Sequence, residues 1–219
     1  MWRTVLFCSL ILFGIATFIY ITLPPYEELV DGRARGSVTF LDRNGNTFAW
    51  RGDQLGNIIT STSISPMLKN AIVATEDKRY YRHFGISPRG ILGAIKTNLQ
   101  AGRGPLKGSG GSTITQQTAK LICLGKKYNP NKWKSERQYE ADCRRTTKTR
   151  KIKEAIFAII MEFRYTKDEI LSLYLNRAYL GAGSRGFEAA SQRYFSTSSN
   201  KLNIGQSAML AGLLKAPST

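Results

Sequence analysis

The sequence predicts a mainly α protein with an N-terminal transmembrane helix and one small β-hairpin. Three observations carry this reading. Val5 to Leu23 runs for nineteen residues without a charge. From Ser65 onward, segment after segment places apolar residues at helical spacing. Only the stretch Ser37 to Trp50 sets two short apolar runs about an Asn44-Gly45 pair, a strong short-range hairpin signal.

Composition supports a folded chain. Of 219 residues, 42% are hydrophobic and 21% charged, which excludes low-complexity and wholly disordered classes. The balance of 32 Lys+Arg against 15 Asp+Glu gives a net charge of +17. Such a surface seeks an anion: nucleic acid, acidic lipid headgroups or a phosphorylated substrate.

The first segment narrows that choice. A bilayer core of roughly 30 Å needs about 20 helical residues, and Val5–Leu23 is long enough. A cleaved signal has a shorter apolar region followed by small residues. Tyr20, Ile21, Leu23, Pro24 and Pro25 stand there instead. The reading is a single-pass anchor with a short cytoplasmic tail and the rest of the chain exported. Export disfavours nucleic acid as a partner. The expected organisation is 1–23 tail and anchor, 24–64 linker with hairpin, and 65–219 a helical domain.

Helices then follow in order. Ser65 and Pro66 fit an N-cap with proline at the first helical position. Leu68, Ala71, Ile72 and Thr75 keep the i, i+3, i+4, i+7 spacing. A second helix is expected over 88–101, with Ile91, Leu92, Ile95 and Leu99 on one side. Gly102–Gly111 is a glycine-rich loop, and Thr113–Leu124 reads as helix. Gly125–Thr147 is basic, polar and poor in aliphatics, and reads as a long loop. Lys148–Arg164 is a strong helix. Thr166 with Glu169 three residues on forms a capping box opening the next. Further helices are expected over 185–195 and 203–215.

Two carboxylates stand where solvent would not put them. Glu76 continues the row Leu68, Ile72, Glu76, each four apart, on the apolar side of its helix. Desolvation there would raise its pKa and suit it to proton transfer. The plainer alternative ends the helix at Thr75 and makes Glu76 the start of a charged turn. Glu154 sits where Lys148, Arg150, Lys151 and Lys153 meet an apolar run. It is either an ordinary i, i+4 ion pair with Arg150 or a carboxylate beside cations that hold a phosphate. The loop before Ser112 and Thr113 leads into a helix start, where backbone amides bind anions. His83 has no cysteine or carboxylate at ligand spacing, which argues against zinc. Cys123 and Cys143 bracket the basic stretch, and export would let them form a disulfide.

Five segments in order are more specific: ATEDKRYYRHFG (74–85), GGSTITQQ (110–117), RKIKE (150–154), KDEILSLYLN (167–176) and RGFEAASQRYF (185–195). Together they resemble the motifs of the peptidoglycan glycosyltransferases, glycosyltransferase family 51. The resemblance implies a lysozyme-like, mainly α domain on the outer face of a bacterial cytoplasmic membrane. It implies lipid II and the growing glycan strand as substrates, membrane lipids and other cell-wall synthesis proteins as partners, and a divalent cation, Mg or Mn, as cofactor. By that likeness Glu76 is the general base, and Glu154 is the second catalytic glutamate, orienting the cations or helping to hold the metal. Asp77, Tyr80, His83, Gly85, Ser112, Thr113, Gln116, Gln117, Arg150, Lys151, Lys153 and Asn176 match substrate-binding positions.

Two features depart from the family pattern. The connection from Cys123 to Lys148 is longer than usual, with eleven basic and three acidic residues between Lys126 and Lys153. The sequence stops where the family's domain normally continues, so the domain is expected to be C-terminally incomplete. Two other functions fit less of the pattern: a lytic lysozyme-like enzyme, and a non-catalytic anchored protein binding anionic lipid or polymer.

Overall fold

The structure, a computed structural model, describes residues 2–30, 38–45, 47–51, 54–105, 107–108, 110–145 and 147–215. Helices α1 (Trp2–Thr22) and α2 (Tyr26–Val30) come first. Strands β1 (Val38–Leu41), β2 (Thr47–Arg51) and β3 (Gln54–Leu55) follow. Then come α3 (Pro66–Glu76), α4 (Pro88–Gln100), α5 (Ile114–Leu121), α6 (Glu136–Arg144), α7 (Lys148–Arg164) and α8 (Lys167–Arg177). The chain continues through β4 (Ser184–Arg185), α9 (Phe187–Phe195) and α10 (Ile204–Leu213). These elements form two compact units, one of Met1–Pro25 with Arg82–Thr166, the other of Tyr26–Tyr81 with Lys167–Thr219.

In the first unit α5 and α1 pack on α7. Ile114 and Ala119 from α5 and Ala158 and Met161 from α7 lose all contact with solvent. Gly85 lies against the same helix with φ +74°, and a Cβ there would come within 2.7 Å of the Ala158 carbonyl oxygen. The site therefore demands glycine twice over, by conformation and by space. The C-terminal end of α1 is held to protein: Leu23 is buried and the Arg164 guanidinium lies 5.3 Å from the Tyr20 ring centre. Among the described residues no helix is long and apolar enough to cross a membrane. The transmembrane expectation for Val5–Leu23 thus has no support from the structure.

The basic segment 125–147 departs from the expected loop. It contains α6, capped by the Ser135 hydroxyl accepting from the Gln138 amide. It also has a small core of its own, Cys123, Trp133 and Tyr139, with Tyr128 and Cys143 packed against it. Three aromatics at irregular spacing give no helical period, so the pattern hides the core. A disulfide joins Cys123 to Cys143, with Cα atoms 5.2 Å apart.

In the second unit α10 packs on α3, α2 on α8, and α8 on α9. The core is Leu68, Ile72, Ile170, Leu171, Leu173, Leu175, Leu180, Phe187 and Leu210. β1 and β2 form the antiparallel hairpin, with Val38 opposite Arg51 and Gly45 at φ +83° in its turn. The residue that would open the expected hairpin, Ser37, lies outside the described residues. β3 pairs in parallel with β4. The expected 24–64 linker is tied down along much of its length. The Leu29 carbonyl accepts from Arg177 Nε at 2.9 Å, and the Ser61 amide donates to the Ser172 hydroxyl at 2.8 Å. Ser65 precedes α3 but makes no side-chain cap bond; its hydroxyl donates to the Leu202 carbonyl instead.

Glu188 on α9 holds the turn after its own helix. It accepts from the Ser199 amide at 2.9 Å and hydroxyl at 2.5 Å, from the Ser198 hydroxyl at 3.3 Å and from Gln192 Nε2 at 3.1 Å. Burial pushes this carboxyl up, but the hydrogen bonds from Ser199, Gln192 and Ser198 together outweigh it and leave the pKa below its ordinary value. A depressed carboxylate contributes stability above its unfolded pKa and loses it as pH falls through the folded value. Glu188→Ala should cost about 1–3 kcal/mol in urea unfolding at pH 7, because buried donors lose their acceptor. The cost should shrink as unfolding is measured at progressively more acidic pH.

Candidate functional site

In the first unit the chemistry gathers on the opening turns of α7. The Thr147 hydroxyl caps this helix, accepting from the Arg150 amide. One turn on, Glu154 is 5% exposed, with a cation on each oxygen. Arg150 Nε stands 3.1 Å from Oε1 and Lys151 Nζ 3.3 Å from Oε2. Lys151 also donates to the Ser112 hydroxyl at 2.7 Å, tying the glycine-rich loop to α7. Arg150 reaches the other way: its Nη1 donates to the carbonyls of Asp142 and Arg145.

Lys120 on α5 belongs to the same electrostatic group. Burial pushes its ammonium below the usual lysine range; the Glu154 charge opposes this, and the like charges of Arg150, Lys151 and Arg144 add to it. One buried carboxylate among several cations leaves a surplus of positive charge in a half-desolvated place. That is the electrostatic form of an anion site.

In the second unit Glu76 ends α3 with its side chain 8% exposed, and Lys215 Nζ lies 3.4 Å from Oε1. The row Leu68, Ile72, Glu76 does face inward: both apolar members are fully buried. Tyr174 on α8 is close enough to feel the carboxylate. Burial raises its phenol pKa far above the ordinary value, and the Glu76 charge raises it further. Asp77, buried beside Glu76, caps α3 through its amide and accepts from the Tyr80 amide at 2.8 Å.

Compared with known proteins, residues 44–219 match the transglycosylase family. The chain belongs to that family. Penicillin-binding protein 1A of Neisseria flavescens is 37% identical over 96% of this chain and 24% of its own length. The protein of the same name from Escherichia coli K12 is 36% identical over 95% of this chain and 22% of its own. That from Aquifex aeolicus is 38% identical over 93% and 26%. The chain thus spans about a quarter of the length of the curated relatives it matches. The match begins at residue 44, ahead of the domain start expected at Ser65.

Within this transglycosylase domain the twelve residues expected to bind substrate divide by burial. Tyr80 is wholly buried, its hydroxyl on the Lys167 carbonyl at 2.6 Å. Gly85 serves the close approach to α7. Thr113 and Gln116 form the reciprocal capping box of α5, and Thr113 also donates to the Gly85 carbonyl at 2.6 Å. Asn176 spends its amide on Ile59 and Ser172. These five residues help to build the scaffold, Tyr80, Thr113, Gln116 and Asn176 through their hydrogen bonds and Gly85 through its close packing. Asp77 caps α3. His83, Ser112 and Gln117 are half-buried, and Lys151 and Lys153 are exposed. Arg150 is largely covered, its side chain 13% exposed.

Three residues carry no pattern that would single them out in the sequence: Lys120, Lys215 and Tyr174. Lys120 lies four residues after Gln116 on α5, and that helical offset was the available signal. The Glu154 carboxylate does not fit a divalent cation, since each oxygen already faces an ammonium or guanidinium. Among the described residues no three His, Cys, Asp or Glu side chains converge on one point.

The two classes of motif residue should separate in experiment. Thr113→Ala removes a helix cap and should cost about 1 kcal/mol of stability in chemical unfolding. Lys151→Ala takes one donor from the buried Glu154 carboxylate and should cost about 1–3 kcal/mol. Unlike Thr113→Ala, it should also weaken pyrophosphate binding in calorimetry by roughly tenfold, the loss of one charge-assisted bond.

Proposed function

We propose that this domain polymerises lipid II into peptidoglycan glycan strands, by inverting transfer of the growing glycan from undecaprenyl pyrophosphate to the 4-hydroxyl of an acceptor. The observation that carries the reading is the cation group about Glu154 in a chain of the transglycosylase family. A glycosyl pyrophosphate is already a good leaving group and needs charge neutralisation more than protonation. Arg150, Lys151 and Lys120 supply that charge, and Glu154 fixes the directions in which Arg150 and Lys151 point. A lytic enzyme cleaving finished glycan would have no pyrophosphate to neutralise.

Glu76 acts as general base. Its carboxylate takes the proton from the acceptor 4-hydroxyl as that oxygen attacks the anomeric carbon, and the bond to pyrophosphate breaks on the opposite side of that carbon. No step needs a metal held by Glu154. The uncharged run Val5–Leu23 supports anchorage in the bacterial cytoplasmic membrane, with the domain on the outer face, where a membrane-bound substrate would be met. Other cell-wall synthesis proteins are its expected partners.

The test is incubation of the detergent-solubilised chain with labelled lipid II and gel separation of the products. Ladders of glycan are expected. Glu76→Gln should cut their formation by about 10²–10⁴, the usual loss for a general base, while lipid II binding persists. Polymerisation by Glu76→Gln at the parent rate would overturn the base assignment. Release of fragments from finished peptidoglycan, with no ladder from lipid II, would overturn the polymerase reading itself.

A further inference from the structure

Two adjoining pockets in the first unit lie beside the anion site described above. One, of about 670 Å³, is apolar and lies between the end of α1 and α7, lined by Phe18, Leu23, Ile152, Ile156 and Phe157 among others. The other, of about 280 Å³, is polar and is walled by the disulfide-closed segment, with Trp133, Asp142 and Arg145. The pockets share Leu124, Lys126, Thr149 and Lys153. We propose that they form one binding site for an anionic phospholipid, its acyl chain between α1 and α7 and its phosphate among Lys126, Arg145 and Lys153.

Charge complementarity selects this ligand. Lys126, Lys153 and Arg145 have no carboxylate partner among the described residues, and Arg150, which also lines the polar pocket, is neutralised by Glu154. The acid in that wall, Asp142, accepts from Trp133 Nε1 at 3.4 Å, and its single negative charge still leaves the three cations in excess. An excess of cations at the mouth of an apolar cleft matches a phosphate joined to a hydrocarbon chain. A neutral lipid would leave them uncompensated.

The local backbone supports a built site. Cys123 and Leu124 both adopt left-handed conformations, φ 55° and 54°, which cost non-glycine residues free energy and persist where the surroundings hold them. The Cys123–Cys143 disulfide is such a restraint, and Leu124 then lines both pockets. The phosphate end of the site is made by the segment that the disulfide closes. It stands apart from the Lys151–Ser112 side of Glu154.

Native mass spectrometry of the full chain in detergent tests this, offered phosphatidylglycerol, phosphatidylcholine or undecaprenyl pyrophosphate at equal concentration. Lys126→Glu with Arg145→Glu should abolish retention of phosphatidylglycerol. Each basic residue near an anionic lipid is worth about a fivefold change in affinity, so the milder K126Q/R145Q pair, which guards against misfolding, should lower it roughly thirtyfold. Equal retention of phosphatidylglycerol and phosphatidylcholine by the parent would overturn the proposal. So would unchanged retention in the folded glutamine pair. Binding of undecaprenyl pyrophosphate alone, lost in that pair, would overturn the phospholipid assignment and give the site to the substrate's carrier. Lipid retention is read without lipid II, so it stands or falls separately from polymerisation.

Discussion

The buried carboxylate of Glu154 is the interaction on which the first unit's chemistry depends. A charge taken out of water is costly unless each oxygen finds a donor and the net charge is offset. Arg150 and Lys151 do both. Each partner then carries the link onward. Lys151 joins α7 to the loop before α5 through Ser112, and Arg150 joins α7 to the end of α6 through two backbone carbonyls. One carboxylate thereby links α7 to the loop before α5, 39 residues away in sequence, and to the end of α6 just before it. Helical i, i+3 and i, i+4 spacing puts both cations within reach of the glutamate, so the arrangement is encoded within a single turn of α7.

Placing such a group on a rigid element has a consequence for catalysis. Cations that neutralise a leaving group act best when already oriented, because no reorganisation is then needed as charge develops. Arg150 is held at three oxygens before any ligand arrives. Burial lowers the pKa of Lys120, and the like charges of Arg150, Lys151 and Arg144 add to this by repulsion. An incoming anion would relieve that repulsion and favour the ammonium form, so ligand charge and site charge stabilise one another.

Much of the fold was legible in the sequence. Proline at the first helical position located α3 and α4, the apolar row located Glu76 on the inner face of α3, and Asn44-Gly45 located the hairpin turn. The illegible parts have physical reasons. The α6 segment is stabilised by aromatic stacking and a cross-link, neither of which has a period. Ser65 looked like a cap but its hydroxyl is claimed by Leu202, a contact 137 residues away. The site was legible as a set of motifs but not as a division of tasks. Thr113, Gln116 and Asn176 carry polar groups of the kind that bind sugars, and only the folded structure reveals the hydrogen bonds that those groups make within it.

The charged residues of these motifs depend on uncharged neighbours for their placement. Glu154 can be buried only if α7 lies close to the loop bearing Ser112, and Gly85 and Thr113 control what lies against the two helices. Gly85 lets the backbone approach α7 at Ala158. Thr113 then fixes the start of α5 to the Gly85 carbonyl, one residue from Ser112. A side chain at position 85 would have to displace backbone, and the movement would pass through Thr113 to Ser112 and its bond with Lys151. Gly85 is therefore coupled to the Lys151 ammonium, through two hydrogen bonds and one van der Waals contact.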